Sequence, residues 1–221
     1  MCRQAAAVAA LQGWRYKPAR THDGFVIEPG SGSPTWRLEW GPSHRAYLGR
    51  RELRLRGSVP LDLGAHAVVL PRPLMAALDR EVYSALTDAV QTRMDEALPE
   101  EVRWLAVSPR LTAQALGAWR DLLGAATNVQ PWVQAWLAGR TGALLARLLQ
   151  SDTPAPLALT LHQGVLTLRL GMARPEAERL PELVEVFEAV WAEAVQRAQG
   201  LGLDGGRPGD PPSETAVMPL A

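Results

Sequence analysis

Three stretches of apolar–polar alternation constrain this chain more than anything else in it: TWRLEW at 35–40, RELRLRG at 51–57 and LALTLHQGVLTLRLG at 157–171. A period of two sends successive side chains to opposite faces of a strand, so each stretch demands a sheet. In the first, Trp36, Leu38 and Trp40 point one way while Arg37 and Glu39 point the other. In the second, Leu53 and Leu55 point inward, with Glu52, Arg54 and Arg56 outward. The third is two alternating runs joined by Gln163-Gly164, a hairpin signal in which glycine supplies the positive φ of a tight turn.

Shorter runs add to the sheet. FVIE at 25–28 reads as a strand, RAYL at 45–48 as a returning strand, and VRWLAV at 102–107 as another. AVVL at 67–70 reads as a strand or as the approach to the next helix. Helices are expected over 4–14, over 73–95, over 111–126, over 131–150 and over 176–199. The 73–95 stripe is Leu74, Leu78, Val82, Leu86 and Val90, and the last helix carries Leu180, Val184, Phe187, Trp191 and Val195. Gly139 and Gly142 permit close packing or a kink, and Pro181 falls in a first turn.

The fold class that follows is α+β: an antiparallel or mixed sheet built from an N-terminal meander and a C-terminal hairpin, covered by amphipathic helices. A strand hairpin followed by a long helix occurs twice, over 35–95 and 157–199, and reads as a pseudo-duplication, a two-part fold or coincidence. One domain over 1–200 is preferred to two, with 201–221 as a flexible Gly/Pro-rich tail. The 221 residues are 47% apolar, enough for a sizeable core.

Charge divides unevenly along the chain. Residues 1–60 hold ten Lys or Arg against four Asp or Glu, and the rest holds thirteen against nineteen. Two opposed fields can face each other, form poles of one surface, or meet in an oligomer. Every cation except Lys17 is arginine, a preference spread so evenly that it reads as coding bias rather than phosphate recognition.

Chemistry is sparse. The single cysteine, Cys2, excludes an internal disulfide, and His22, His44, His66 and His162 lack metal-ligand spacing. His22-Asp23 reads as a solvated turn. No GxSxG elbow frames Ser43, Ser58 or Ser108, and GSG at 30–32 and GGRPG at 205–209 lack the frame of a phosphate loop. The carboxylates Asp88, Asp95, Glu96, Glu100 and Glu101 read as a solvated helix end. No catalytic residue, cofactor or metal is assigned.

Two groups remain as candidate sites. Seven of the eight tryptophans fit apolar faces, and the pair Trp132 and Trp136, four residues apart before a Gly-containing turn, is the candidate interface. Arg37, Arg45, Arg50, Arg51, Arg54 and Arg56 are the candidate anion-binding set. The solvated face of a strand is the plain reading of the latter, and tryptophans alternating to the opposite face argue against nucleic acid.

The leading expectation is a noncatalytic protein-interaction or accessory domain whose partner is another protein or a second copy. Its alternatives are a small-molecule binder or enzyme with a site assembled from dispersed residues, and an anion or nucleic-acid binder using the 50–56 strand. AAAVAAL at 5–11 is too short for a signal peptide, and no apolar run is long enough to span a membrane. By exclusion, the expected setting is the cytoplasm of a bacterial-type cell.

Overall fold

A computed structural model describes residues 2–20, 23–30, 35–87, 99–151 and 155–201. The alternating stretches become strands of one eight-stranded sheet. These are β1 (Arg15–Pro18), β2 (Phe25–Glu28), β3 (Arg37–Pro42), β4 (Arg51–Ser58), β5 (His66–Pro71), β6 (Leu123–Thr127), β7 (Leu157–His162) and β8 (Val165–Gly171). Their order is β1-β2-β3-β4-β8-β7-β5-β6, and every pairing is antiparallel. The meander β1–β4 and the hairpin β7–β8 therefore join directly, through β4 against β8.

Alternation decides what each face carries. Phe25, Ile27, Leu38, Trp40, Leu53, Leu55, Leu159 and Leu168 share the apolar face. Four helices pack there: α1 (Cys2–Leu11), α5 (Gln130–Trp136), α6 (Gly142–Leu149) and α7 (Leu180–Gly200). The opposite face is divided. Its β5–β6–β7 end is apolar and is covered by α2 (Arg72–Thr87) and α3 (Glu100–Val107), where Met75, Leu78, Val102 and Leu105 meet Val68, Leu70, Ala126 and Ala158. Its β1–β4 end is charged. The two hairpin–helix segments thus occupy non-equivalent places, because β5 intervenes before α2, and α2 and α7 cover opposite faces.

The turn of the β7–β8 hairpin has φ of 49° at Gln163 and 70° at Gly164, the two positive values of a type I′ turn. A Cβ at 164 would add steric conflict to that conformation. Gly164→Ala is expected to cost about 1 kcal/mol, read as a lower urea midpoint at unchanged slope.

Four expectations are corrected. Residues 45–48 form no strand: Ala46–Leu48 is a 3-10 turn, because Arg45 and Tyr47 both reach across to Glu101 on α3. Residues 102–107 are helical, not extended. Val102 and Leu105 are buried three apart, and Pro99, Glu100 and Glu101 make a helix start: proline before two acids that favour the N-terminal dipole. The helix expected over 111–126 stops early. Its only α-turn, α4 (Ala113–Leu116), ends at Gly117 with φ of 56°, and Leu123–Thr127 enters the sheet as β6. That strand is buried at all five positions and so cannot alternate. A side chain at Gly124 would collide with Met75.

The helix expected over 131–150 is broken at Gly139 (φ −83°, ψ −149°) by a π-turn over Leu137–Thr141. Glu193 on α7 holds this break, accepting from the Thr141 amide at 2.8 Å, the Thr141 hydroxyl at 2.8 Å and the Arg140 amide at 3.2 Å. Donors that the interrupted ladder would strand are satisfied by one carboxylate. Of the helix expected over 73–95, residues 88–95 lie outside the described residues, as does the expected tail from 202 onward.

Candidate functional site

The charged half-face is built by register. Arg15 stands opposite Glu28, Val26 opposite Glu39, Glu39 opposite Arg54, Arg37 opposite Arg56, and Arg54 opposite Arg169. Ion pairs follow these cross-strand neighbours. Glu28 serves Arg15, Lys17 and Arg37, and Glu39 serves Arg37, Arg54 and Arg56. Glu52 serves Arg54 and Arg169, and Glu101 serves Arg45. Among the described residues, seven cationic side chains share these four carboxylates.

Exposure falls along the face. The side chains of Arg15 and Lys17 are 63% exposed, that of Arg56 38% and that of Arg169 only 10%. The face ends where α3 lies across it. There Arg45 grips Glu101 through Nε and Nη2, and the Tyr47 hydroxyl donates to the same carboxylate. Burial pushes the Glu101 carboxyl up, but the hydrogen bonds from Arg45 and Tyr47 and the Arg45 charge outweigh it and hold the group below its usual range. Burial, and then the Glu101 charge, push the Tyr47 phenol upward, so it remains a donor.

Beside this cluster lies a cleft of about 270 Å³. Arg45, Arg56 and Arg169 line it together with Thr160, Thr167, His162, Trp104, Glu100 and Glu101. Arg169 Nη1 donates to Glu52 Oε1 at 2.9 Å, and its Nε has no hydrogen-bond partner among the described residues. Burial, and next the charge of Arg45, draw the Arg169 guanidinium below its ordinary value. Two other grooves, of about 510 Å³ beside α1 and about 620 Å³ beside α6, are larger, but neither is lined by a buried charged side chain.

Trp104 stands at the inner wall between two imidazoles. His66 and His162 are direct cross-strand partners, and each ring centroid lies 5.1 Å from that of Trp104. His162 Nε2 lies 3.2 Å from Glu100 Oε1. His66 Nε2 lies 2.6 Å from Ser108 Oγ. This is a serine–imidazole contact, but Ser108 is 9% exposed and His66 Nδ1 faces the Gly64 carbonyl rather than a carboxylate. The pair ties the end of α3 to β5.

The candidate arginines do not act as one group. Arg37, Arg54 and Arg56 share the charged face and Arg45 borders it. Arg51 alternates to the other side, where its guanidinium sits 4.6 Å from the centroid of Trp40 and bonds Asp23. Arg50 is exposed ahead of β4. Trp132 and Trp136 are 0% and 1% exposed, so they form core rather than a surface for a partner. The Gly-containing turn after them does not open a groove, because α7 closes over it: Trp136 Nε1 donates to the Val190 carbonyl at 3.0 Å.

Sequence reasoning passed over Arg169, Tyr47 and Thr167, and it read Glu101 as part of a solvated helix end, whereas that side chain is 4% exposed and accepts from Arg45 and Tyr47. Arg169 breaks the apolar run LTLRLG at an outward position, the same signal that singled out Arg54, and it was legible there. Nothing local links Tyr47 to Glu101, which are brought together across 54 residues. Of the other flagged residues, His22, Asp88, Asp95 and Glu96 lie outside the described residues. Among the described residues no group of three or more His, Cys, Asp or Glu side chains is placed to hold a metal ion, and no helix is long and apolar enough to cross a membrane.

No protein-family model matches the sequence, and no curated protein matches it.

Proposed function

We infer that this is a noncatalytic interaction domain that docks an acidic segment of a partner protein on the charged sheet face. The observation that carries this reading is that, among the described residues, seven cations share four carboxylates on and beside one sheet face. Guanidinium groups with spare donors favour carboxylates, which they meet with two parallel hydrogen bonds. Interleaved acids fix register and reject the wrong partners, as at protein–protein interfaces.

A nucleic-acid partner is the weaker fit. Stacking platforms place aromatic rings on the basic surface. Here Tyr16, Phe25, Trp36 and Trp40 all lie with the apolar face, Trp36 Nε1 is turned to Glu188 on α7, and Trp104, which lines the cleft beside the arginines, already packs against His66 and His162.

Fluorescence anisotropy with a glutamate-rich peptide, and with a single-stranded oligonucleotide of equal charge, tests the reading. The peptide is expected to bind the tighter of the two and to weaken with salt. Arg37→Glu combined with Arg56→Glu, two exposed and directly opposed positions, is expected to reduce its affinity by at least about tenfold. Tighter binding of the oligonucleotide, or binding of neither probe, overturns it.

A further inference from the structure

We propose that the cleft under α3 is a binding site for one small oxyanion, held by Arg169, Arg56 and the hydroxyl of Thr167, beside Thr160, whose own hydroxyl donates to the Thr167 carbonyl. This goes beyond the docking face: the ligand is a small molecule, and the carrying observation is a different one. Arg169 is nine-tenths buried, yet it spends one N–H on Glu52 and leaves Nε without an acceptor among the described residues. A buried guanidinium in that condition costs desolvation that its present bonds do not fully return. Glu52 is shared between Arg169 and Arg54, and Arg45, Arg56 and Arg169 converge on the one cleft; an oxyanion there would supply the counter-charge that this single carboxylate does not.

Register arranges the lining side chains around it. Arg56 on β4, Thr167 on β8 and Thr160 on β7 are successive cross-strand partners, so they form one row on the same face. Arg169 lies two residues along β8 from Thr167, on the same side. Both threonines are buried, at 7% and 6% exposure, on a face where the plain expectation for a buried position is an apolar residue.

The lining holds three guanidinium groups, Arg45, Arg56 and Arg169, against two carboxylates, Glu100 and Glu101. Glu101 accepts from Arg45 and Tyr47, and Glu100 faces His162. What the cleft has left to offer is positive charge and N–H or O–H donors. Its size sets the class of ligand. A volume of about 270 Å³ is below the roughly 300–1,000 Å³ typical of drug-sized ligand pockets. That suits inorganic phosphate, a small phosphomonoester or a short carboxylate.

Thermal unfolding of the full chain is followed against increasing phosphate, acetate and chloride at matched ionic strength. A saturable rise in Tm with phosphate or acetate, absent with chloride, is expected, and whichever saturates first assigns the ligand as phosphate-like or carboxylate-like. Thr167→Val, which keeps shape and removes a donor, is expected to weaken that binding about fivefold, and Arg169→Lys about tenfold or more. Because Arg169→Lys also disturbs Glu52, Thr167→Val carries the test if the lysine variant fails to fold. Arg37→Glu is expected to leave the anion effect unchanged while weakening peptide docking, so the two sites fail separately. A shift equal in all three salts, or one untouched by Thr167→Val, overturns the proposal.

Discussion

Trp136→Ala is expected to lower the unfolding free energy by about 4 kcal/mol, the largest loss from any single substitution considered for this protein. The indole is 1% exposed and stacks on Trp132 with ring centroids 4.8 Å apart. It ends α5 immediately before the π-turn, so its neighbours are fixed by the break and by α7, and they cannot close over the hole. Truncation removes the transfer free energy of the ring and leaves a cavity with no side chain free to fill it. Phenylalanine separates two contributions. Trp136→Phe forfeits the bond to the Val190 carbonyl, whereas the Nε1 of Trp132 has no partner among the described residues. Trp132→Phe is therefore expected to cost less than Trp136→Phe. Chemical denaturation of the three variants decides it: equal losses for the two phenylalanine variants, or a loss below about 2 kcal/mol for Trp136→Ala, contradict this account of the core.

Glu101→Ala is expected to cost about 3 kcal/mol. The carboxylate is nearly sealed, with a side chain 4% exposed, and it is the acceptor for both Arg45 and Tyr47. Removing it leaves a guanidinium and a buried phenol unpaired, and an unpaired buried partner is more damaging than the pair was helpful. The Arg45 side chain keeps 18% exposure, which places the loss at the low end for such pairs. Exchanging all three members, as Arg45→Met and Glu101→Leu with Tyr47→Phe, is expected to recover most of it.

The pH dependence has a definite sign. Glu101 titrates below its ordinary value in the folded chain. Its contribution is therefore complete above the unfolded carboxylate's pKa and is lost as pH falls through the lower folded one. The stability of the native chain should decline on that acidic limb more steeply than that of Glu101→Gln. Denaturant midpoints measured across the acidic range check this, and parallel profiles would remove Glu101 from the linkage.

Much of the sheet was legible because period two is a local signal. Arg37, Glu39, Glu52, Arg54 and Arg56 read as one outward set, and they share one face. The Gln163-Gly164 turn was equally legible, since positive φ is a property of the residues that form it. β6 was not, because a strand buried at every position looks like any short apolar run, and LGAA continues a helical composition. α3 was misread for a related reason. VRWLAV is too short for its period to be measured, and the better clue, the acidic pair after proline, lay outside the run.

The candidate site divides the same way. Alternation shows which arginines can share a face, and so it separated the tryptophans from them in advance. It does not show that β4 pairs with β8, which brings Arg169 beside Arg54, or that α3 crosses the sheet to deliver Glu101 to Arg45. The sequence by itself determined β2, β3, β4, β7 and β8, their faces and the hairpin turn, because those depend on residues within a few positions of one another. Only the tertiary structure decided the strand order, the burial of Trp132 and Trp136, and the cleft under α3. Each of these joins residues from distant parts of the chain, and which distant surfaces meet is set by the packing of the whole sheet rather than by any local pattern.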